Sequence, residues 1–169
     1  MPSTKRKASA ITSCVLNYAN GDVYTGGLED GEHHGHGVLK YANGKVLECE
    51  WKEGTPAGKA VLKYDNGDVY EGEYEDDAPN GRGIMKFVGG SVYEGEFKSG
   101  KYNGTGKYTW SNGTVYDGEY VDGNCNGKGK YTWSNGTVYE GEWKDDTING
   151  KGIKKYANGD VFEGEFKYG

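Results

Sequence analysis

The stretch Gly113-Thr114-Val115-Tyr116-Asp117-Gly118-Glu119-Tyr120 decides the fold, because the chain repeats it. The pattern Gly-x-Val-Tyr-acid-Gly-Glu-aromatic returns from Gly67, Gly90, Gly136 and Gly159, with looser copies from Gly21 and Gly44. Its tyrosine position falls at Tyr24, Leu47, Tyr70, Tyr93, Tyr116, Tyr139 and Phe162, a period of 23 residues without a slip. A fixed period of this length marks an array of repeated structural units.

Each unit holds two short runs joined by a turn. The first run ends in an aromatic residue, as in Lys107–Trp110 and Lys130–Trp133, and Asn-Gly follows in most copies. The second is the Val-Tyr-acid-Gly-Glu-aromatic run. Alternating β-branched and aromatic residues around Asn-Gly predict β-hairpins, and no run has helical periodicity. The expected fold is all-β: an elongated single-layer antiparallel meander of about seven hairpins, roughly 65 Å long at ~4.8 Å per strand. The segments between hairpins, such as Val121–Gly129, read as loops.

Register follows from side-chain faces. A two-residue Asn-Gly loop would put Trp110 and Tyr116 on opposite faces. A three-residue loop, Ser111-Asn112-Gly113, pairs Trp110 with Thr114, Tyr108 with Tyr116 and Gly106 with Gly118, and gathers the aromatics on one face. The same register pairs Gly83 with Gly95, Gly129 with Gly141 and Gly152 with Gly164. In the early units the pairs become Cys14–Gly26, Gly37–Cys49 and Ala60–Gly72. Strands disfavour glycine, so this column of small residues is expected to let aromatic rings lie over the backbone. Cys49 then reads as a space-filling variant.

The other face is charged. Glu71, Glu73, Glu94, Glu96, Asp117, Glu119, Glu140, Glu142, Glu163 and Glu165 form two acidic columns. Lys107 and Lys130 fall opposite Asp117 and Glu140, while Lys63, Lys86 and Lys155 lie diagonally from an acid. Such cross-strand pairs contribute ~0.2–1 kcal/mol each and serve mainly solubility.

Composition narrows the function. The 169 residues include 31 Gly, 15 Tyr and 4 Trp but only 4 Phe, so burial must come from tyrosine and tryptophan on a glycine-rich backbone. Net charge is −6, and residues 14–169 carry 17 basic against 26 acidic side chains. Nucleic acid and anionic lipid both require clustered positive charge, so nucleic acid is not expected as a partner and phospholipid ranks second. Residues 1–13 read as a flexible basic tail and 14–169 as the repeat domain. Lys5-Arg6-Lys7 is the one basic cluster; it also fits a nuclear-import signal, and Ser9 a basic-directed kinase, but a solubilising arm explains both. No apolar segment follows it, so no secretory signal is expected. Cys14, Cys49 and Cys125 lack metal-ligand spacing and read as free thiols of a reducing compartment. The Asn-Gly-Thr sites at Asn103, Asn112 and Asn135 then read as turn chemistry.

Tyr139-Glu140-Gly141-Glu142-Trp143, with Gly150-Lys151-Gly152 and Asn158-Gly159, resembles the MORN (membrane occupation and recognition nexus) repeat, over about residues 15–168. The resemblance implies an elongated, single-layer, twisted antiparallel sheet with an aromatic-lined groove. It departs early: Leu47 and Cys49 replace Tyr and Gly, Ala60 replaces a loop glycine, and Gly27-Leu28 replaces Glu-aromatic.

Catalytic chemistry is not expected. His33-His34-Gly35-His36 invites a metal reading, but His34 sits where Asn80, Asn103, Asn126 and Asn149 precede a loop glycine, so a structural role is favoured and no metal or cofactor is expected. Repeated Glu pairs provide no unique acid–base couple, and Gly127-Lys128-Gly129 has no helix behind it to bind phosphate. Binding remains. The expected partner groove comprises Tyr70, Tyr74, Tyr93, Phe97, Trp110, Tyr116, Tyr120, Trp133, Tyr139 and Trp143, since Tyr and Trp are typical hot-spot residues. The expected role is a non-enzymatic scaffold that binds a partner polypeptide segment or a second copy of itself. Its expected setting is cytoplasmic, in a cytoskeletal, ciliary or membrane-associated assembly. The alternatives are a phospholipid-binding module, or the repeat region of a larger kinase or methyltransferase.

Overall fold

The computed structural model describes residues 12–167. Among these residues all fourteen elements are strands, in one antiparallel sheet whose spatial order is the sequence order. They are β1 (Thr12–Asn17), β2 (Val23–Glu29), β3 (Glu32–Lys40), β4 (Val46–Lys52), β5 (Thr55–Lys63), β6 (Val69–Glu75) and β7 (Ala78–Lys86), then β8 (Val92–Lys98), β9 (Lys101–Thr109), β10 (Val115–Val121), β11 (Asn124–Thr132), β12 (Val138–Lys144), β13 (Thr147–Lys155) and β14 (Val161–Phe166). The sheet begins at Thr12, inside the span read as tail; the rest of that span, residues 1–11, lies outside the described residues.

The predicted register holds throughout. Tyr108 faces Tyr116 and Gly106 faces Gly118 across β9–β10, and Trp110 N–H donates to the Thr114 carbonyl at 2.9 Å. The turn closes as Gly113 N–H donates to the Trp110 carbonyl at 2.9 Å. Gly113 has φ 84, a left-handed value that a side chain would resist. Asn112 and Asn135 are consumed by their turns, each accepting through Oδ1 from the backbone N–H two residues on.

The segments read as loops are a correction. In Val121–Gly129 only Asp122 and Gly123 turn the chain, both with positive φ (50 and 98), the geometry of a two-residue type I′ hairpin. The nine-residue strand β11 starts at once, at Asn124. Equivalent turns fall at Asp30-Gly31, Glu53-Gly54, Asp76-Asp77, Ser99-Gly100 and Asp145-Asp146. The strand was hidden because its first half, Asn-Cys-Asn-Gly-Lys-Gly, contains a β-bulge. Between β10 and β11 the pairing jumps from Gly118–Gly129 to Glu119–Asn126, with Gly127 at φ 67. One such shift occurs in every repeat, between each even strand and the next odd one.

A single sheet has no second layer to bury its aromatic face, so the rings must cover one another. Tyr24, Leu47, Tyr70, Tyr93, Tyr116 and Tyr139 are all 0% exposed. Each tyrosine lies flat over a glycine rung. A Cβ at Gly106 would stand 2.6 Å from Tyr93 Cζ, and one at Gly129 2.6 Å from Tyr116 Cζ. The ring is then roofed by the neighbouring repeat. Tyr102 stacks on Tyr93 at 3.7 Å between centroids, while Phe97 and Tyr120 meet it edge-on at 5.1 and 5.3 Å. Edge-on and offset contacts of this kind add ~0.5–1.5 kcal/mol per pair beyond area burial.

Candidate partner-binding surfaces

The tyrosine hydroxyl explains why phenylalanine rarely takes the ring position. Tyr70, Tyr93, Tyr116 and Tyr139 donate to the carbonyls of Glu73, Glu96, Glu119 and Glu142, three residues on, at 2.6 to 3.0 Å. That carbonyl borders the bulge, where the ladder is broken, and an unpaired buried carbonyl is costly. Burial pushes the Tyr24 hydroxyl up to about 12, and raises the other core tyrosines as well, so all are neutral donors.

The ten residues expected to form a groove divide into two groups. Tyr70, Tyr74, Tyr93, Phe97, Tyr116, Tyr120, Tyr139 and Trp143 are buried in the chain's own core. Trp143 also donates its indole N–H to the Gly129 carbonyl at 3.2 Å. Trp110 and Trp133 are half-buried. They belong to a second row along the three-residue-turn edge of the same face, which the sequence reading did not separate from the first. In that row Tyr108 packs on Trp110 at 4.5 Å, Trp110 on Tyr131 at 5.5 Å, and Tyr131 on Trp133 at 4.5 Å. Phe87 joins at one end, 5.8 Å from Tyr108. At the other end Lys154 Nζ sits 4.8 Å from the Trp133 ring and 5.4 Å from Tyr156, a cation–π step. Tyr156 is 44% exposed. The signal for this row was the second aromatic two residues before each turn aromatic, at Tyr108 and Tyr131.

The charged face holds a function the sequence reading assigned only to solubility. Glu119 Oε1 accepts from Lys128 N–H at 3.0 Å, Glu142 Oε2 from Lys151 N–H at 2.8 Å, and Glu96 Oε1 from Thr105 N–H at 3.1 Å and its hydroxyl at 2.7 Å. These carboxylates cap the bulge. The two Thr105 hydrogen bonds hold the Glu96 carboxyl below its ordinary range. The readable sign was a glycine eight residues after each such glutamate, at Gly104, Gly127 and Gly150. The lysines answer the other column less than expected. Lys107 and Lys130 do face Asp117 and Glu140 in register, but Lys86–Glu71, at 2.8 Å, is the one lysine–carboxylate bridge among the described residues. Over this face runs a shallow trough of ≈ 1040 Å³, continued by a second of ≈ 770 Å³.

The three histidines go to separate partners. His33 stacks on Tyr24 at 3.6 Å and meets the Tyr18 hydroxyl at 2.6 Å; burial lowers its pKa. His34 lies 3.0 Å from Glu29 and His36 3.3 Å from Glu48. Among the described residues no group of three or more His, Cys, Asp or Glu side chains is gathered for a metal. Cys14, Cys49 and Cys125 are free, and burial pushes the Cys49 and Cys125 thiols up to about 11 and 12. Cys49 faces Ala60 beside Leu47, filling the space a tyrosine ring takes elsewhere. No helix among the described residues is long and apolar enough to cross a membrane.

Known proteins resemble this geometry. The family model described as MORN repeat matches six stretches: 24–46, 50–69, 70–92, 93–115, 116–138 and 139–161. A comparison with curated proteins finds no significant match. Among solved structures, the TCP domain of Drosophila melanogaster SAS-4, in complex with a proline-rich motif of Ana2, aligns with a TM-score of 0.54 at 17% identity, covering 99% of each chain. The TCP10 domain of Danio rerio CPAP, in complex with a STIL peptide, aligns at 0.42 and 12% identity, covering 90% of this chain and 93% of that one. At these identities the likeness to SAS-4 is one of fold.

Proposed function

The chain belongs to the MORN repeat family, and from that premise we propose that it is a non-enzymatic protein-interaction scaffold that binds a segment of a partner polypeptide on its aromatic face. One observation carries the reading: the contiguous half-exposed row Phe87–Tyr108–Trp110–Tyr131–Trp133, running on to Tyr156, on one continuous sheet. Rigid, partly exposed tyrosine and tryptophan provide contact area at little cost in side-chain entropy. The buried tyrosines of the expected groove act beneath this row, holding its shape. A precedent on this fold is the SAS-4 TCP domain with its proline-rich motif of Ana2. The setting that goes with this reading is cytoplasmic, in a cytoskeletal, ciliary or membrane-associated assembly. Phospholipid remains the lesser reading, because the net charge of −6 repels anionic bilayers.

The test is affinity capture from native extract with the unaltered protein and with Trp110→Ala/Trp133→Ala. Loss of specific partners from the double variant, with its circular dichroism spectrum unchanged, supports the row as the site. Full recovery by the folded variant refutes it.

A second copy is a further candidate partner, favoured by one observation. Phe162 is 49% exposed at the edge of the described sheet, whereas all six of its equivalents are 0% exposed. An exposed ring on a strand that pairs with one neighbour among the described residues is a contact surface. Light scattering across a dilution series distinguishes a stable dimer from a monomer.

A further inference from the structure

The trough on the charged face is independent of the aromatic row, and its lining is more specific than a field of carboxylates. On even strands one wall presents Glu48, Glu71, Glu94 and Asp117. The register places aliphatic residues between the first three: Val61 faces both Glu48 and Glu71, and Ile84 faces both Glu71 and Glu94. Val61 and Ile84 are half-buried side chains on the face opposite the core. The floor between the walls is the rung column, with Gly72, Gly83, Gly95 and Gly106 contributing only backbone. Seven carboxylates line the larger trough against Lys59, Arg82 and Lys107, with His36 at one end.

We propose that this trough is a docking site for an extended basic segment of a partner polypeptide, lying across the strands, with Lys or Arg at every third residue and apolar residues between. Charge complementarity selects the cation. The spacing selects the pattern. Strands lie ~4.8 Å apart, so successive acids of one wall recur every ~9.6 Å. A polyproline-type chain advances ~3.1 Å per residue with three residues per turn, so every third side chain points the same way and recurs at about one step. Val61 and Ile84, halfway between the acids, receive the intervening apolar side chains. The narrow floor admits a backbone, because no side chain rises from it. Glu96, Glu119 and Glu142, in the other acidic column, are committed to backbone N–H groups. In the Glu48–Asp117 wall Glu71 bridges Lys86 and Glu48 lies beside His36, so Glu94 and Asp117, which share only the in-register Lys107, carry the recognition.

The probe is a fluorescein-labelled peptide of about twelve residues, repeating Lys-Val-Thr, compared with a peptide of the same composition whose lysines are consecutive. Fluorescence anisotropy with the full chain is expected to show about tenfold tighter binding of the spaced peptide. The preference is expected to vanish in Glu94→Gln/Asp117→Asn and to persist in Trp110→Ala. Unchanged melting of the carboxylate variant shows that it folds. Equal affinity for the two peptides, or a preference that survives the loss of Glu94 and Asp117, overturns the proposal. Binding that appears only after Lys5→Ala/Arg6→Ala/Lys7→Ala would assign the trough to the chain's own tail and overturn it equally.

Discussion

Leu47, Cys49 and Ala60 stand where later repeats carry a tyrosine and two glycines, and the three changes fit one another. With a tyrosine, the rung must be bare, since a Cβ at Gly83 or Gly152 would lie 2.6 Å from the ring carbon Cζ above it. With leucine the ring is missing, and the Cys49 and Ala60 side chains, both 4% exposed, fill its place. Leu47→Tyr alone is therefore expected to destabilise the protein by ~2–3 kcal/mol, the cost of forcing a large side chain into a filled core. Leu47→Tyr/Cys49→Gly/Ala60→Gly should recover most of that loss. Chemical denaturation of the two variants checks the pair, and equal stabilities would contradict the coupling. The glycine column and its exceptions were readable in the sequence, because period and register together align them. The hydrogen bond from tyrosine to the carbonyl three residues on was not, because nothing in the letters marks a carbonyl as unpaired.

At the scale of the element, the odd strands are longer than their alternation suggests. β11 runs from Asn124, but its first half contains Gly127, whose φ of 67 breaks the strand pattern. Bulges defeat period-2 reading by design, since one strand gains residues that its partner lacks. The glutamate that caps each bulge links this element to pH. Glu96 titrates below its ordinary 4.5 because Thr105 donates two hydrogen bonds to the charged form. A carboxylate depressed on folding contributes stability that is whole above 4.5 and is lost as pH falls below that value through the folded pKa. Glu96→Gln is thus expected to lower the melting temperature near neutrality and to flatten its fall on acidification below 4.5. A variant whose acid sensitivity equals that of the unaltered protein would remove the cap from the account.

For the whole molecule, each strand pairs only with its neighbours in the chain. Stability then approximates a sum of repeat and nearest-neighbour contributions. The six period positions from Tyr24 to Tyr139 are 0% exposed, whereas Phe162 on β14 is 49% exposed, and β1 and β14 each pair with one strand among the described residues. Hydrogen exchange should accordingly be slowest in β6 to β11 and fastest in β1 and β14. Uniform protection would instead indicate a single cooperative unit. The all-β ribbon, its seven hairpins and the division into two faces were legible from the 23-residue period. The division of the aromatic face was not. Tyr116, which is buried beneath its neighbours, and Tyr131, which is half open, are the same letter at the same kind of alternating position. Only the stacking of one repeat on the next decides which ring is roofed.

The central claim is that the buried tyrosines hold the sheet while the half-exposed row meets the partner. Its most direct test is a side-by-side measurement of melting and partner capture for Trp110→Ala/Trp133→Ala and Tyr116→Ala. The account predicts that the tryptophan variant melts close to the unaltered protein yet loses the partner, and that Tyr116→Ala loses ~3–5 kcal/mol of stability, as deletion of a buried aromatic side chain does. A tryptophan variant that keeps the partner in full would contradict it.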